Sequence, residues 1–323
     1  METNRYARQV LAFGEEGQKI IGAAKVGIVG LGGIGSHVAQ GLAYLGVGSF
    51  VVVDDDRAED TNLNRLVGAV PEDVISKTPK VIIAERLIHQ IKPDAEVCAV
   101  DGNLRSREAM GALISCSTVF GCVDHDAPRL ILMELAAAYE LVLIDSASEF
   151  LRDPQDPKTG RIVEIGGRVV LALPGVFCLD CAREIDMERA KYELLSPDAR
   201  EVRRAHGYGL GEQTPAPAVI SLNGVVANLA ITEFLFMVTG FRKPNRYIRY
   251  RSYREGDPVN GRVTIGEDKR RKDCFTCGYL VGKRDESNMF RYALPKGGTV
   301  VPRYGLAEGA SSALNSKGGL CGS

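Results

Sequence analysis

A glycine-rich turn between a short β-branched run and a helical segment constrains the fold of this chain most strongly. The turn, Gly30-Leu-Gly-Gly-Ile-Gly35, follows the apolar run Lys25–Val29 and precedes Ser36–Leu45, which we predict to be a helix. Ser49–Val53 then predicts a buried strand that ends in three aspartates, Asp54–Asp56. Strand, turn, helix and strand form a βαβ unit, whose strands are parallel and joined by a right-handed crossover.

The alternation of helix and strand patterns continues to about residue 150 and predicts an α/β fold. Each helical pattern is followed by a short apolar run, typical of a strand buried on both faces. We therefore expect a Rossmann-like, doubly wound and mostly parallel sheet with helices on both faces. The further elements are helix Pro79–Ile91, strand Glu96–Val100, helix Ser106–Ser115, strand Thr118–Cys122, helix Asp126–Tyr139 and strand Leu141–Asp145.

The second half of the chain does not continue this alternation. Ile162–Leu173 is typical of a hairpin or an added pair of antiparallel strands, and Tyr247–Tyr253 alternates like a strand. Asp186–Gln213 is polar and lacks strong periodicity, so we expect a mobile loop or crossover. Ala218–Val238 predicts a long core helix, because its two asparagines and its glutamate disfavour a membrane span.

The composition narrows the class of protein. Over 323 residues, 40 Lys and Arg balance 41 Asp and Glu, and the net charge is −1. This balance argues against a polybasic nucleic-acid-binding protein. The first residues lack the apolar core of a secretory signal. We therefore expect a cytoplasmic protein that binds neither membranes nor nucleic acid.

The glycine turn and the acid after it favour a nucleotide site. Glycines let the backbone approach a phosphate, and the following helix presents N–H groups and the positive end of its dipole. Asp54 lies 24 residues after Gly30, near the separation expected for an acid that binds ribose hydroxyls. The pattern alone leaves open a tight turn that only packs a helix on the sheet, and it does not separate NAD from ATP.

Charged residues after this turn favour a triphosphate over a dinucleotide. Asn62 and Arg65 follow the acid, Lys80 begins the next predicted helix, and Asp124 follows the fourth predicted strand. In an open parallel sheet these strand ends line one crevice. Two cations and two carboxylates in one crevice suit the chemistry of ATP with Mg²⁺. Each residue taken alone is typical of a solvated charge beside a loop.

Together these motifs resemble the ThiF/MoeB/HesA family, adenylating enzymes related to ubiquitin-activating enzymes. The resemblance extends from Arg5 to about Gly278. It rests on Arg5-Tyr-Ala-Arg8-Gln9, the turn Gly30–Gly35, Asp54-Asp-Asp56, Asn62-Leu-Asn-Arg65, Thr78-Pro-Lys80, Val123-Asp124 and two Cys-x-x-Cys pairs.

The resemblance implies a role for each matching residue. Asp124 would hold Mg²⁺, and Arg8 would reach the triphosphate, from the second protomer of a homodimer. A longer spacing from arginine to lysine than in the family leaves Lys77 as an alternative to Lys80. Arg8, Arg65, Lys80 and Asp124 would be catalytic, and ATP would be bound by Gly30, Gly32, Gly33, Gly35, Asp54, Asp56, Asn62, Arg65 and Lys80.

The implied reaction is attack of a protein's C-terminal carboxylate on the α-phosphorus of ATP, which gives an acyl-adenylate and pyrophosphate. The substrate would be a small ubiquitin-like or sulfur-carrier protein with a C-terminal glycine, and a conjugating enzyme or sulfur donor would accept the product. No general base is needed, because a carboxylate is ionised at neutral pH. The alternatives are an NAD(P)-dependent oxidoreductase, a peptide-adenylating enzyme of antibiotic biosynthesis and a non-catalytic nucleotide-binding module.

The two Cys-x-x-Cys pairs favour a structural zinc site. Cys178 and Cys181 form the first pair, and Cys274 and Cys277 form the second. Four thiolates complete a closed tetrahedral shell with no open position, so the metal would not be catalytic. The family that the chain resembles also places zinc here. A redox pair or free thiols are the alternative.

The other cysteines give little support for a thioester step. Cys98, Cys116 and Cys122 lie in or beside predicted core elements. Many members of the family carry a nucleophilic cysteine in the crossover loop, but residues 182–217 contain none. Cys321 is the one candidate in a segment expected to be mobile, and an ordinary thiol in the tail is the simpler interpretation.

A basic stretch with interleaved tyrosines, from Arg242 to Arg254, predicts the solvated face of an edge strand. Charge at such an edge discourages aggregation. Nucleic-acid binding and docking of an acidic partner are the alternatives.

We expect four parts along the chain. Residues 1–24 form an N-terminal helical arm, and residues 25–150 form the nucleotide-binding Rossmann-like half. Residues 151–282 form a substrate-binding half with the crossover loop and the zinc site. Residues 283–323, rich in Gly, Ser and Lys, predict a flexible tail.

Overall fold

An eight-stranded sheet forms the centre of the computed structural model, which describes residues 5–153, 155, 160–206, 209–210 and 217–294. Its strands are β1 (Lys25–Val29), β2 (Ser49–Asp54), β3 (Glu96–Asp101), β4 (Thr118–Gly121), β5 (Val142–Arg152), β6 (Ile162–Ala172), β7 (Tyr247–Arg254) and β8 (Arg262–Ile265). They lie in the order β3-β2-β1-β4-β5-β6-β7-β8. The first five are parallel and the last three pair antiparallel, which confirms the predicted architecture.

Helices cover both faces of this sheet, as predicted. They are α1 (Ala7–Ala23), α2 (Gly33–Leu45), α3 (Pro71–Ile75), α4 (Lys80–Ile91), α5 (Arg107–Ile114), α6 (Asp126–Tyr139), α7 (Leu179–Ala182), α8 (Met187–Glu193), α9 (Pro197–Ala205) and α10 (Ile220–Thr239). On one face α1, α2, α4 and α10 enclose a core around Phe50, Phe120 and Phe234. On the other face α5, α6 and the cysteine cluster enclose a second core. Burial of these two apolar layers holds the sheet between them.

β5 and β6 extend the sheet beyond the strands predicted from the sequence. The strand predicted at Leu141–Asp145 continues to Arg152, and Ile162–Leu173 holds one strand rather than a pair. β5 and β6 pair antiparallel along their length. β6 changes from half-buried to fully buried along the chain, and this change in pattern mimics two separate strands.

β7 is an inner strand, so the edge position predicted for the basic stretch is wrong. β6 pairs with it on one side and β8 on the other. Its arginines form ion pairs, including Arg249 with Glu184 and Arg251 with Glu164. β8 has no strong sequence signal, because it is four residues long and three of them are exposed.

The crossover segment after β6 contains helices α8 and α9, where the sequence predicted a mobile loop. The Asp186 side chain accepts two backbone N–H groups of the first turn of α8, each at 3.0 Å. Ser196 caps α9 by accepting the N–H of Ala199 at 3.2 Å. Caps rather than apolar periodicity begin these short helices, so the pattern misses them. The remainder of the predicted loop includes residues 207–208 and 211–213, which lie outside the described residues.

α10 has the length and composition of a membrane span, but half of its most apolar window is buried in the protein. It packs against α1, α2, β5 and β6. Asn223 and Glu233 are buried on it, and Glu233 forms an ion pair with Arg242. These contacts are those of the predicted core helix.

The two ends of the described chain pack against this body. α1 lies in the N-terminal segment and has a kink at Gly14, whose φ is 75°. Residues 283–294, the start of the predicted flexible tail, instead contact α6 through the ion pair of Arg291 with Glu134 and the hydrogen bond of Tyr139 to Asp285. Residues 295–323 lie outside the described residues.

Candidate active site

A cavity of about 700 Å³ lies at the carboxyl ends of the parallel strands. Its wall includes the turn after β1, Asp54–Asp56 after β2, residues 102–105 after β3, residues 122–125 after β4 and Ser146–Ser148 in β5. The end of α8 and α9 contribute from the opposite side. Open α/β sheets bind their ligands at this edge, so the cavity is the candidate active site.

The glycine turn holds the N-terminus of α2 against this cavity. Gly30 has a φ of +84°, and a Cβ there would lie 2.6 Å from the Cys122 carbonyl oxygen. A Cβ at Gly32 would meet nothing within 4 Å. The cavity is lined by Gly30, Gly32 and Gly33. Backbone N–H groups and the positive end of the helix dipole therefore face the cavity, which favours a ligand of negative charge. Gly30 is required by the fold, whereas Gly32 keeps space open for the ligand.

Asp54 braces the turn. Its carboxylate accepts the N–H of Leu31 at 2.6 Å and the N–H of Asp56 at 2.8 Å. Burial raises the pKa of Asp54, while the positive charge of Lys80 and the two N–H groups oppose that rise. Because Asp54 also lines the cavity, its position is compatible with the predicted ribose contact.

Two cations of the predicted site lie in the cavity wall. Lys80 begins α4, and its Nζ lies 2.7 Å from Asp56 with its side chain 11% exposed. Arg65 donates to the Thr61 carbonyl and to Asn64. Lys77, the alternative to Lys80, occupies a left-handed turn after α3 and does not line the cavity. The structure therefore places Lys80 rather than Lys77 beside the ligand space.

Three predicted site residues lie outside the cavity wall. Gly35 is buried beneath the turn, where a Cβ would lie 1.9 Å from the Gly30 carbonyl oxygen. Asn62 accepts the N–H of Glu59 with its side-chain oxygen and so closes a 3₁₀ turn. Arg8 is exposed on α1. Within a single chain, Gly35 and Asn62 support the structure around the site, and Arg8 does not line the cavity.

Asp124 lies at the cavity mouth with its side chain 91% exposed. His125 lies between it and α8, with Nε2 3.8 Å from Asp124 and Nδ1 3.5 Å from Glu193. Glu193 also accepts the N–H of Ala127 at 2.7 Å, so α8 is fastened to the N-terminus of α6. An exposed carboxylate at the mouth suits Mg²⁺, which binds through one or two carboxylates, water and substrate phosphates.

The structure adds cavity residues that the sequence did not single out. Arg105 donates to the Tyr292 carbonyl at 2.9 Å, and burial together with the nearby charge of Arg200 lowers its pKa. Ser146 and Asn223 contribute buried polar groups on the side of β5 and α10. No local motif marks these residues, because the fold brings them together from distant parts of the chain.

A buried ion network lies beside the cavity. Asp145 is fully buried and pairs with Arg168, which also contacts Glu184 at 2.7 Å. Arg129, on α6, places its Nε 3.6 Å from Asp145. Tyr247 donates to Glu184, and burial raises the pKa of Tyr247 to about 12. The network joins β5, β6 and β7 to the crossover segment.

The four cysteines of the two pairs come together, as predicted. Sγ–Sγ distances are 3.7 Å for Cys178–Cys181, 3.5 Å for Cys178–Cys274 and 3.9 Å for Cys181–Cys277. Tetrahedral zinc with Zn–S bonds of about 2.3 Å requires edges of about 3.8 Å. Backbone N–H groups of Arg271 and Cys277 also point at two of the sulfurs. The cluster therefore fits a structural zinc ion that joins the segment after β6 to the one after β8.

The ThiF family model matches residues 6–277. The chain belongs to the ThiF family. This match covers both halves of the fold, including the glycine turn, the cavity and the cysteine cluster. It confirms the family that the sequence motifs indicated.

Curated relatives and solved structures agree with this assignment. The sulfur carrier protein ThiS adenylyltransferase of Escherichia coli is 27% identical over 247 residues, which cover 76% of this chain and 85% of that protein. The vegetative HesA protein of Trichormus variabilis is 26% identical over 75% of this chain and 78% of its own length. The structure of E. coli MccB with ATP has a TM-score of 0.63 at 21% identity, covering 86% of this chain and 75% of MccB, and shows the fold alone.

Proposed function

We propose that this protein uses ATP to adenylate the C-terminal carboxylate of a small sulfur-carrier or ubiquitin-like protein. The observation that carries the proposal is the uncapped N-terminus of α2, which faces a cavity walled by Lys80 and Arg65. This arrangement suits a polyphosphate beside a glycine turn. The names of the relatives, adenylyltransferases of sulfur carriers, supply the substrate class.

In the proposed reaction a carboxylate oxygen attacks the α-phosphorus of ATP. A new P–O bond forms, the bond from the α-phosphorus to its bridging oxygen breaks, and pyrophosphate leaves with that bond's electron pair. Arg65 and Lys80 would neutralise the charge that develops on the phosphates, and Asp124 would hold the Mg²⁺ that further screens it. The protein's main contribution is to hold two anions in line, because a carboxylate at neutral pH needs no base.

Several features belong to this proposal rather than to the observed geometry. The adenylate would pass to the thiol of a partner or to a sulfur donor in the cytoplasm. Arg8, exposed on α1, would complete the cavity of the partner protomer in a homodimer. The zinc would keep the second half rigid and take no part in the chemistry.

The test is exchange of labelled pyrophosphate into ATP, with Mg²⁺ and a carrier protein that ends in glycine. Asp124→Ala should lower exchange by about 100-fold without loss of folding, because this side chain is 91% exposed. Lys80→Ala should have a similar effect, whereas the matched control Lys77→Ala should exchange normally. Carrier-dependent exchange that survives both site variants would contradict the proposal.

A further inference from the structure

A buried hydroxyl in the cavity wall has no hydrogen-bond partner among the described residues. Ser146 is 1% exposed and lines the cavity, and its Oγ forms no hydrogen bond with the described residues. A buried hydroxyl without a partner destabilises the fold. Its presence in a ligand cavity therefore points to a bond that forms when the ligand binds.

Asn223 adds a second donor on the same side. It is 2% exposed, lies in the first turn of α10 and lines the cavity. Ser148 donates to its side-chain oxygen at 3.0 Å, which fixes the orientation of the amide. The amide nitrogen then lies against the glycine turn, where a Cβ at Gly33 would be 2.1 Å away. The donor end of this amide is thus held beside the N-terminus of α2.

The strand geometry places these groups on one face. Ser146 and Ser148 are two residues apart in β5, so their side chains project to the face that α10 covers. Asp145 projects to the opposite face, where Arg168 pairs with it. The cluster accordingly offers O–H and N–H donors and no facing carboxylate from β5.

We propose that Ser146 and Asn223 bind the C-terminal carboxylate of the polypeptide substrate beside the glycine turn. The inference rests on the proposed function. An ionised carboxylate accepts hydrogen bonds and donates none, so it matches a hydroxyl and an amide N–H. One carboxylate oxygen is held by these donors, and the other faces a phosphate at the N-terminus of α2. Both side chains are positioning residues for the attack.

A kinetic comparison separates this role from a structural one. Ser146→Ala should raise KM for the carrier by about 10-fold or more, because a hydrogen bond to a charged group is lost. KM for ATP should stay unchanged. The unfolding temperature should stay the same or rise, because the hydroxyl has no hydrogen bond to lose within the described part of the chain. The matched control Ser115→Ala removes an exposed hydroxyl at the end of α5 and should change neither KM.

The decisive experiment measures binding and needs no catalysis. Calorimetry compares a peptide that ends in a Gly-Gly carboxylate with the same peptide as a C-terminal amide, each with a non-hydrolysable ATP analogue. The wild-type protein should prefer the carboxylate by about 10-fold or more. Ser146→Ala and Asn223→Asp should each abolish that preference.

The outcomes distinguish this inference from the proposed function. A preference that survives both substitutions, or a wild-type protein that binds neither peptide at millimolar concentration, overturns the inference. Pyrophosphate exchange by the wild-type protein is scored separately. Exchange without carboxylate preference would support the proposed function and contradict this carboxylate site. Carboxylate preference without exchange would support the carboxylate site and contradict the proposed function.

Discussion

Removing the charge of Asp145 should destabilise the fold more than removing any comparable surface charge. Asp145→Asn keeps the size of the side chain and removes its negative charge. Arg168 then keeps its ion pair with Glu184, and Arg129 loses the carboxylate 3.6 Å from its Nε. Both arginines are largely buried, with 10% and 12% of their side chains exposed, so water replaces the lost partner only in part.

The expected loss of unfolding free energy follows from the burial of this network. Breaking a buried ion pair by removing one partner costs about 3–5 kcal/mol of unfolding free energy when it leaves an uncompensated charge in the interior. Arg168 keeps Glu184 and Arg129 keeps Asp126 at 3.7 Å, so the expected cost lies toward the lower end of this range. An exposed pair contributes about 0.2–1 kcal/mol. Arg57 and Asp101 form such a pair, with 44% and 38% of their side chains exposed. Asp101→Asn is therefore the matched control for the same chemical change at the surface.

The assay is urea unfolding at neutral pH with zinc present, followed by fluorescence of tyrosine and by circular dichroism. Coincident transitions are required before free energies are compared. Asp145→Asn should lower the unfolding free energy by several times the effect of Asp101→Asn. Equal effects of the two substitutions would refute the view that this network is a buried, mutually dependent unit.

Two further predictions concern the glycine turn and the cysteine cluster. Gly32→Ala should fold normally and lose ATP affinity, because its Cβ meets only the open cavity, whereas Gly30→Ala should destabilise the fold by about 2 kcal/mol or more. Thermal unfolding with and without ATP distinguishes these two effects. Equal destabilisation by the two substitutions would contradict the prediction. Cys274→Ser should release zinc, as measured with a metal-sensitive dye, and lower the unfolding temperature by about 5 °C or more. The control Cys116→Ala should retain the metal. Unchanged zinc content in Cys274→Ser would count against the zinc site.

The parallel half of the fold was predictable because its signals are local. Each strand from β1 to β4 is a short apolar run. The glycine turn predicts both a tight turn of the backbone and the start of a helix. The position of Lys80 at the start of α4 was predictable for the same reason, since it follows Pro79. The two Cys-x-x-Cys pairs predict a metal-binding cluster, because few other structures require this spacing.

The second half was less predictable because long-range packing decides it. α8 and α9 begin at caps, and their amphipathic pattern is too short to stand out. The predicted edge strand β7 became an inner strand through pairing with β8, whose exposed residues carry almost no signal. Asn223 reaches Gly33 only because α10 packs on α2, a contact between residues far apart in sequence.

The contact of Asn223 with Gly33 joins the proposed carboxylate site to the proposed nucleotide site. Residues before β5 supply the glycine turn, Lys80 and Asp124, which suit a nucleotide. β5 and α10 supply Ser146 and Asn223, which suit a carboxylate. An adenylating enzyme must bring these two anions together, and the packing of α10 on α2 would fix the distance between their sites before either ligand arrives. The Ser146 hydroxyl, which has no hydrogen-bond partner in the residues that the structure describes, would then be the energetic consequence of building that second site before the ligand binds.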